Sequence, residues 1–425
     1  MAAPLPESQL AIVKSTAPVL QEHGVTITTV FYENMLREHP ELNNIFSTTS
    51  QRNGRQAQAL AAAVLGYATY IDDLPKLAHA VERIAHKHAS LQVTPAMYDI
   101  VGKHLIQAIG QVLGDAATKE IVDAWVAAYG VLANVFITRE GEMYKTHAAN
   151  QWAGWRKFRI VRKVPESSVI TSFYLAPVDG LTPLPRYLPG QYVSLQVHVP
   201  ELGYLQSRQY SLSEGPTDKG EYYRISVKRE DSPETGIPGI ISNMLHAKYG
   251  VGDEVELSHP QGEFFVDPND TSKEGVPAVL ISAGVGATPL KAILDSLTAG
   301  PDGQPPAVKR PVSWIHTARS SAVQPFGDAV RQICRENENV TANVFLRNLG
   351  PDDREGVHYD FGDMRLDLAK LDHDAHLFLG NPKAEYFICG PEAFMKDVRQ
   401  KLAAMGVDKS RIFLELFATG DVADD

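Results

Sequence analysis

Apolar residues recur at helical spacing from residue 7 to residue 146, in a stretch dominated by Ala, Leu, Val, Gln and Glu. Breakers at His39-Pro40, Asn53-Gly54, Leu74-Pro75 and Gly114-Asp115 divide it into several helices. Thr94-Pro95 reads as an N-cap followed by proline in the first turn of another. From about Trp152 the period becomes that of strands. Along Gln191–Val199, Val193, Leu195, Val197 and Val199 share one face and Ser194, Gln196 and His198 the other, which predicts a half-buried strand. Tyr223–Arg229 alternates in the same way, and short strands parted by Pro/Gly turns predict an antiparallel barrel. A third texture opens near Gly275. Ala278–Ser282 reads as a buried strand entering a glycine turn, with a helix from Pro289. Strand-like runs Val312–Thr317, Val340–Leu346, Tyr386–Cys389 and Arg411–Leu416 then alternate with helix-like Phe326–Asn337 and Glu392–Met405, the pattern of a doubly wound parallel sheet. Gly300–Pro311 reads as a loop, and Gly420–Asp425 as a frayed end.

The chain is therefore expected to be multidomain: an all-α domain over 1–147, an antiparallel β-barrel over 152–268 and an α/β doubly wound parallel sheet over 275–425. Its 425 residues suit that count. A formal charge of −11 argues against nucleic acid or an anionic membrane as a general partner. Only two cysteines occur, Cys334 and Cys389, which favours a reducing compartment. No apolar run of about 18 residues stands out, and the first residues lack the pattern of a signal or transit peptide. A cytoplasmic monomer without integral membrane association is the expectation.

Val81, Ile84, Ala85, His88 and Leu91 fall on one stripe of a helix, and His86 points away. An apolar wall with one neutral imidazole reaching out of it is what a haem iron requires; a core histidine bonded to backbone is the plainer alternative. Val25, Thr29, Tyr32 and Leu36 place a phenol on the buried face of a second helix. Gln56, Ala59, Leu60, Ala63, Val64 and Tyr67 place an amide at the start of a stripe on a third. Buried groups of this kind need partners. A polar ligand on iron supplies one, unless both side chains simply reach the surface. Phe46, after Pro40-Glu41-Leu42, is set to pack on a macrocycle.

Arg208-Gln209-Tyr210-Ser211 closes a barrel strand. A flavin needs a cation at its pyrophosphate, a phenol against its ring and a hydroxyl near its reactive nitrogen, and Arg208, Tyr210 and Ser211 suit these in turn. Pro189-Gly190-Gln191-Tyr192 before this motif and Gly239–His246 after it, with Ser242 and Asn243, are spaced as in the ferredoxin–NADP reductase superfamily. There the second element lays a helix N-terminus at the flavin phosphates. Gly284-Val285-Gly286-Ala287-Thr288-Pro289 lacks the third glycine of the generic dinucleotide fingerprint. Its place between a buried strand and a helix still lets a pyrophosphate approach the backbone. Cys389-Gly390-Pro391 follows another strand and in the superfamily sits beside the nicotinamide; Cys389 itself reads as structural. Glu415-Leu416-Phe417-Ala418 ends the last strand, where the superfamily covers the flavin with an aromatic, here Phe417. Many relatives carry cysteine where this chain has Leu416. Arg319 follows the second strand of the nucleotide domain, where a 2′-phosphate would be met. Asp231–Gly236 reads as an inserted loop without assigned function.

Residues 1–146 resemble a globin of the bacterial and yeast flavohaemoglobin type. The resemblance rests on Phe31-Tyr32, Pro40–Phe46, Gln51-Arg52-Asn53-Gly54, Lys87-His88 and Ala128–Phe136, with the reductase-like pieces following in the family's order. It implies haem b, FAD and NADH or NADPH as cofactors. It makes His88 the iron ligand, backed by Tyr98 and Glu140, and sets Lys87 between a haem propionate and the flavin. Hydrogen bonds toward the far imidazole nitrogen would give that ligand imidazolate character. Tyr32 and Gln56 would donate to the ligand on the other face. The implied activity is conversion of nitric oxide and dioxygen to nitrate, with electrons passed from NAD(P)H through FAD to haem iron. An oxygen-binding or sensing haemoprotein with incidental hydroperoxide or ferric-chelate reductase activity is the alternative.

Overall fold

The computed structural model describes residues 5–231, 238–300 and 304–417. Ala418, the expected frayed end and residues 232–236 of the expected inserted loop lie outside them. By contact density the described chain forms two compact units, one running to Arg156 and including Gln196–Arg208, the other made of Lys157–Leu195 and Gln209–Phe417.

The first unit holds α1 (Glu7–Ser15), α2 (Ala17–Glu38), α3 (Thr48–Arg52), α4 (Arg55–Tyr70), α5 (Ala78–Ser90), α6 (Pro95–Leu113) and α7 (Lys119–Ala149). Each of the four breakers falls between helices, and Pro95 opens α6. The core gathers Ile27, Phe31, Met35, Leu105, Ile109 and Trp125. The expected stripe on α2 is corrected. Val25 and Thr29 face solvent, and the buried face is Gly24, Ile27, Thr28, Phe31, Tyr32 and Met35. The cause is the approach of α4: a Cβ on Gly24 would lie 3.4 Å from Cβ of Ala61, and Thr28 Oγ1 donates to the Ala57 carbonyl at 2.8 Å. That contact turns Ala57 and Ala61 inward and leaves Ala63 exposed, with Gln56, Leu60 and Val64 half-buried on the flank. A second correction concerns α7, which has the length and hydropathy of a membrane span. Here it packs against α1, α5 and α6 and carries a buried carboxylate, Glu140.

The six-stranded sheet comprises β1 (Arg156–Pro165), β2 (Ile170–Pro177), β3 (Tyr192–Val199), β4 (Tyr204–Ser211), β5 (Tyr223–Lys228) and β6 (Glu254–Leu257), with α8 (Ile240–Lys248) between the last two. The order is β4-β3-β6-β1-β2-β5, with β1–β2 and β2–β5 antiparallel. An antiparallel bridge between Leu212 and Ile225 joins the two ends of that order into a barrel. β3 is buried on both faces apart from His198, rather than half-buried as its alternation suggests. Polar Ser194 is buried because its partners are inside too: its amide donates to Ser258 Oγ at 2.9 Å, and its hydroxyl accepts from Gln209 Nε2 at 3.0 Å.

The second sheet is parallel and runs β10-β9-β8-β7-β11-β12. Its strands are β7 (Ala278–Ala283), β8 (Val312–Ala318), β9 (Val340–Leu346), β10 (Phe361–Gly362), β11 (Glu385–Cys389) and β12 (Ile412–Glu415). Helices α9 (Ala287–Thr298), α10 (Gly327–Glu336) and α11 (Glu392–Ala404) follow β7, β8 and β11. Leu280, Trp314 and Phe387 build the core on one face, and Ile281, Phe345 and Ile388 on the other. The strand order switches direction at β7, so the crevice lies at the ends of β7 and β11, where such folds bind ligands. Helix α9 begins two residues before the expected Pro289, because the Gly284–Gly286 turn is 3₁₀ and runs straight into it.

Candidate functional site

Three helices converge on one imidazole. α5 supplies His88, α6 Tyr98 and α7 Glu140. His88 Nδ1 lies 2.9 Å from the Tyr98 oxygen and 2.9 Å from Glu140 Oε1, and the Tyr98 hydroxyl donates to that carboxylate at 2.5 Å. A carboxylate only accepts, so Nδ1 carries the imidazole hydrogen and the Nε2 lone pair is left for a metal. Glu140 is 2% exposed. Burial, then the adjacent carboxylate, pushes the Tyr98 phenol far above its usual range, so it stays a donor. The Phe136 ring lies parallel to Tyr98 at 6.3 Å, and Tyr129 donates to the Tyr98 carbonyl at 2.6 Å. Sequence reasoning assigned no role to Phe136 or Tyr129. A signal for Tyr129 existed in Gly102, whose Cβ would meet the Tyr129 ring at 2.5 Å, so only glycine leaves room. His86, one position past Ala85, is turned to Glu82 at 3.3 Å, and Lys87 is half-buried beside His88.

On the other side α2 and α4 bring Tyr32 and Gln56 together. Gln56 Nε2 donates to the Tyr32 oxygen at 3.3 Å, which leaves the phenolic hydrogen free to donate onward. Burial raises the Tyr32 pKa to about 12. Phe46 meets the Tyr32 ring edge-on at 5.4 Å, and Leu60 sits one turn beyond Gln56. An apolar wall, one outward imidazole nitrogen and one outward phenol hydrogen fit a haem with a polar ligand.

In the barrel, Ser211 Oγ is buried without a hydrogen-bond partner, an atom that a flavin ring nitrogen would satisfy. Tyr192 is buried against Gly262, where a Cβ would touch its ring at 3.1 Å. Tyr210 is half-buried beside Ser211 on β4. Gln209 is committed to Ser194, as above. The Arg208 guanidinium donates to the Ser207 carbonyl at 2.6 Å and to Thr49 Oγ1 at 3.2 Å. At the start of α8 the side chains of Ser242 and Asn243 face backbone, not outward. Asn243 Nδ2 donates to the Glu230 and Gly239 carbonyls at 2.8 Å each, and the Ser242 hydroxyl accepts from the Glu230 amide at 3.4 Å. What that end offers an anion is its free amides.

At the crevice of the parallel sheet, a Cβ on Gly286 would collide with the Cys389 carbonyl, and one on Gly390 would come within 2.8 Å of Phe394. Glycines there let the Gly284–Gly286 turn and the end of β11 touch, which leaves backbone facing a ligand. Val285 and Ala287 complete the turn, Thr288 Oγ1 closes it on the Val285 carbonyl at 2.9 Å, and Pro289 is buried in α9. Pro391 is exposed at the N-cap of α11. Cys389 is fully buried, and burial holds its thiol well above the usual range. Leu416 packs on the core beside β12, and Phe417 is half exposed. Arg319 is exposed at the end of β8.

The globin family model matches residues 29–136, and that of the oxidoreductase NAD-binding domain matches residues 280–400. The flavohemoprotein of Bordetella pertussis is 48% identical over 416 residues, covering 97% of this chain and 98% of its own length. That of Rhizobium meliloti is 45% identical over 408 residues, 96% of each chain. Among solved structures, the flavohemoglobin of Malassezia yamatoensis, determined with bound FAD and heme, is 31% identical with a TM-score of 0.82 and covers 98% of this chain and all 100% of its own. The FAD/NAD-binding domain of the nitric oxide dioxygenase of Vibrio cholerae is 35% identical with a TM-score of 0.51, covering 61% of this chain and 97% of its own. By these likenesses along nearly its whole length, the chain belongs to the flavohemoprotein family.

Proposed function

We propose that this oxidoreductase is a nitric oxide dioxygenase that converts nitric oxide and dioxygen to nitrate, using NADH or NADPH, FAD and haem b. The observation that carries the reading is the Tyr98–Glu140–His88 cluster. When bound, haem would supply an iron that takes dioxygen, and FAD would divide the electron pair of one hydride into single electrons. Glu140 and Tyr98 fix the hydrogen of His88 on Nδ1 and load the imidazole with electron density. A simple oxygen carrier wants weaker donation and easy release. Tyr32, its oxygen bonded by Gln56, would have its hydrogen available for a polar ligand held there. Ser211 and Tyr210 orient the flavin, and the Gly284–Thr288 and Cys389–Pro391 turns hold the nicotinamide dinucleotide. We place the protein in the cytoplasm, where its two thiols, Cys334 and Cys389, stay reduced.

The test is consumption of nitric oxide by the purified holoprotein, followed with an electrode alongside nitrate formation. Consumption that requires both NAD(P)H and dioxygen supports the reading. Reversible dioxygen binding without nitric oxide consumption would overturn it in favour of a binding or sensing haemoprotein.

A further inference from the structure

Phe326 stands at the N-cap of α10 in the left-handed region, with φ 60° and ψ 14°. A bulky side chain rarely takes that backbone, and holds it only where the surroundings over-determine it. Its ring is 4% exposed. Two cations flank the ring: the Arg224 guanidinium of β5 lies 5.5 Å from its centroid and the Lys291 ammonium of α9 lies 6.0 Å from it. Both cations are themselves fixed. Arg224 donates to the carbonyl and hydroxyl of Ser213, and Lys291 pairs with Asp295 at 2.5 Å. One cation belongs to the barrel and the other to the nucleotide-binding sheet, so the ring is a wedge between the two. Neighbouring contacts follow the same seam. The Ser168 amide donates to the Ala322 carbonyl at 2.8 Å, and a Cβ on Gly215 would meet Ser296 Oγ at 2.9 Å. Ala322 and Phe326 lie in the segment that continues directly from Arg319-Ser320-Ser321 at the end of β8.

We propose that Phe326, held between Arg224 and Lys291, is a positioning residue. It seats the nucleotide-binding sheet on the barrel, so that nicotinamide at Gly284–Thr288 and Cys389–Pro391 meets the flavin at Tyr210 and Ser211. The proposal rests on the assignment of those two sites. Hydride transfer needs reacting atoms within about 3–3.5 Å, and a misplacement of about 1 Å costs up to about a hundred-fold. A core filler could be any apolar side chain with ordinary φ. Attraction to two cations requires an aromatic face.

The experiment compares Phe326→Leu and Phe326→Tyr in the full-length holoprotein. It measures flavin reduction by NADH in anaerobic stopped flow, FAD content, and amide hydrogen exchange over residues 166–170 and 320–326. Phe326→Leu is expected to lower the limiting reduction rate about ten-fold with the half-saturating NADH concentration unchanged. FAD is retained, and both peptides exchange faster. Phe326→Tyr restores the rate and the protection. A wild-type limiting rate in Phe326→Leu would overturn the proposal, as would a loss that merely tracks FAD loss or a Tyr variant no better than Leu. Should Phe326→Leu fail to fold, Lys291→Met removes one cation and leaves the ring; it is expected to slow the same step, and an unchanged rate there also overturns the proposal. Flavin reduction is read without nitric oxide, so its outcome is independent of the dioxygenase reading.

Discussion

The Tyr98 phenol donates to the Glu140 carboxylate at 2.5 Å, from a helix 42 residues earlier in the chain. Both reach His88 Nδ1, so two helices bring a phenol and one negative charge to an imidazole on a third. Glu140→Gln keeps the shape and removes the charge. A charge-assisted bond contributes about 1.5–3 kcal/mol. Its loss should raise the haem midpoint potential by roughly 65–130 mV, read by following the Soret band in a redox titration. An unchanged potential would show that Glu140 does not tune the ligand.

Haem retention separates the two histidines of α5. His88→Ala should purify with FAD and reduce an artificial acceptor from NADH, yet carry no stable haem. His86→Ala, which loses the contact with Glu82, should keep it. The reverse result would place the wrong face of α5 toward the iron.

Tyr32→Phe deletes the one hydrogen that Gln56 leaves pointing outward. Dioxygen release should accelerate roughly ten- to hundred-fold, the equivalent of one charge-assisted bond. Flash photolysis or stopped-flow displacement measures it. An unaltered rate would turn Tyr32 away from the ligand.

Arg319 is exposed at the end of β8 and has no carboxylate beside it in sequence until Asp328. A guanidinium there can grip a 2′-phosphate in bidentate fashion. Wild type should use both nicotinamides, and Arg319→Ala should raise the KM for NADPH while leaving that for NADH alone. Equal effects on both would remove Arg319 from the nucleotide site.

Acid stability has a named contributor in His316. It is 1% exposed, its Nδ1 is engaged with Ser282 Oγ at 2.8 Å, and burial lowers its pKa to about 4. An unfolded histidine titrates near 6.5. Between those values the unfolded chain binds a proton that the folded chain refuses, so stability falls as pH drops through this window. By pH 5 that costs about 2 kcal/mol. Wild type should therefore lose about that much more than His316→Gln between pH 7 and pH 5 in urea unfolding. Parallel losses would dismiss the histidine.

Side-chain period made α5 legible because the stripe through Val81, Ile84, Ala85 and His88 is set by the helix itself. On α2 the same logic misplaced Val25 and Thr29, because the buried face there is chosen by a neighbour, through Gly24 and Thr28 against Ala57 and Ala61. Ser194 on β3 looked like a solvent position because polarity is local information, whereas its partners are Gln209 on the next strand and Ser258 just past β6, 64 residues on. The glycines at 284, 286 and 390 were visible as motifs, but the reason for Gly286, a carbonyl pressed against it from β11, was not. The left-handed backbone of Phe326 leaves no mark in composition or period.

Cys389 ends a strand beside the Gly284–Gly286 turn, with its sulfur sealed and its proton held by burial, and burial likewise raises the Cys334 thiol. Nitrosation and oxidation of cysteine proceed through the thiolate. A catalyst whose proposed substrate is a radical gas that attacks such groups thus presents it with two thiols that stay protonated at neutral pH. Its inactivation under nitrosative stress should begin at haem or flavin rather than at sulfur.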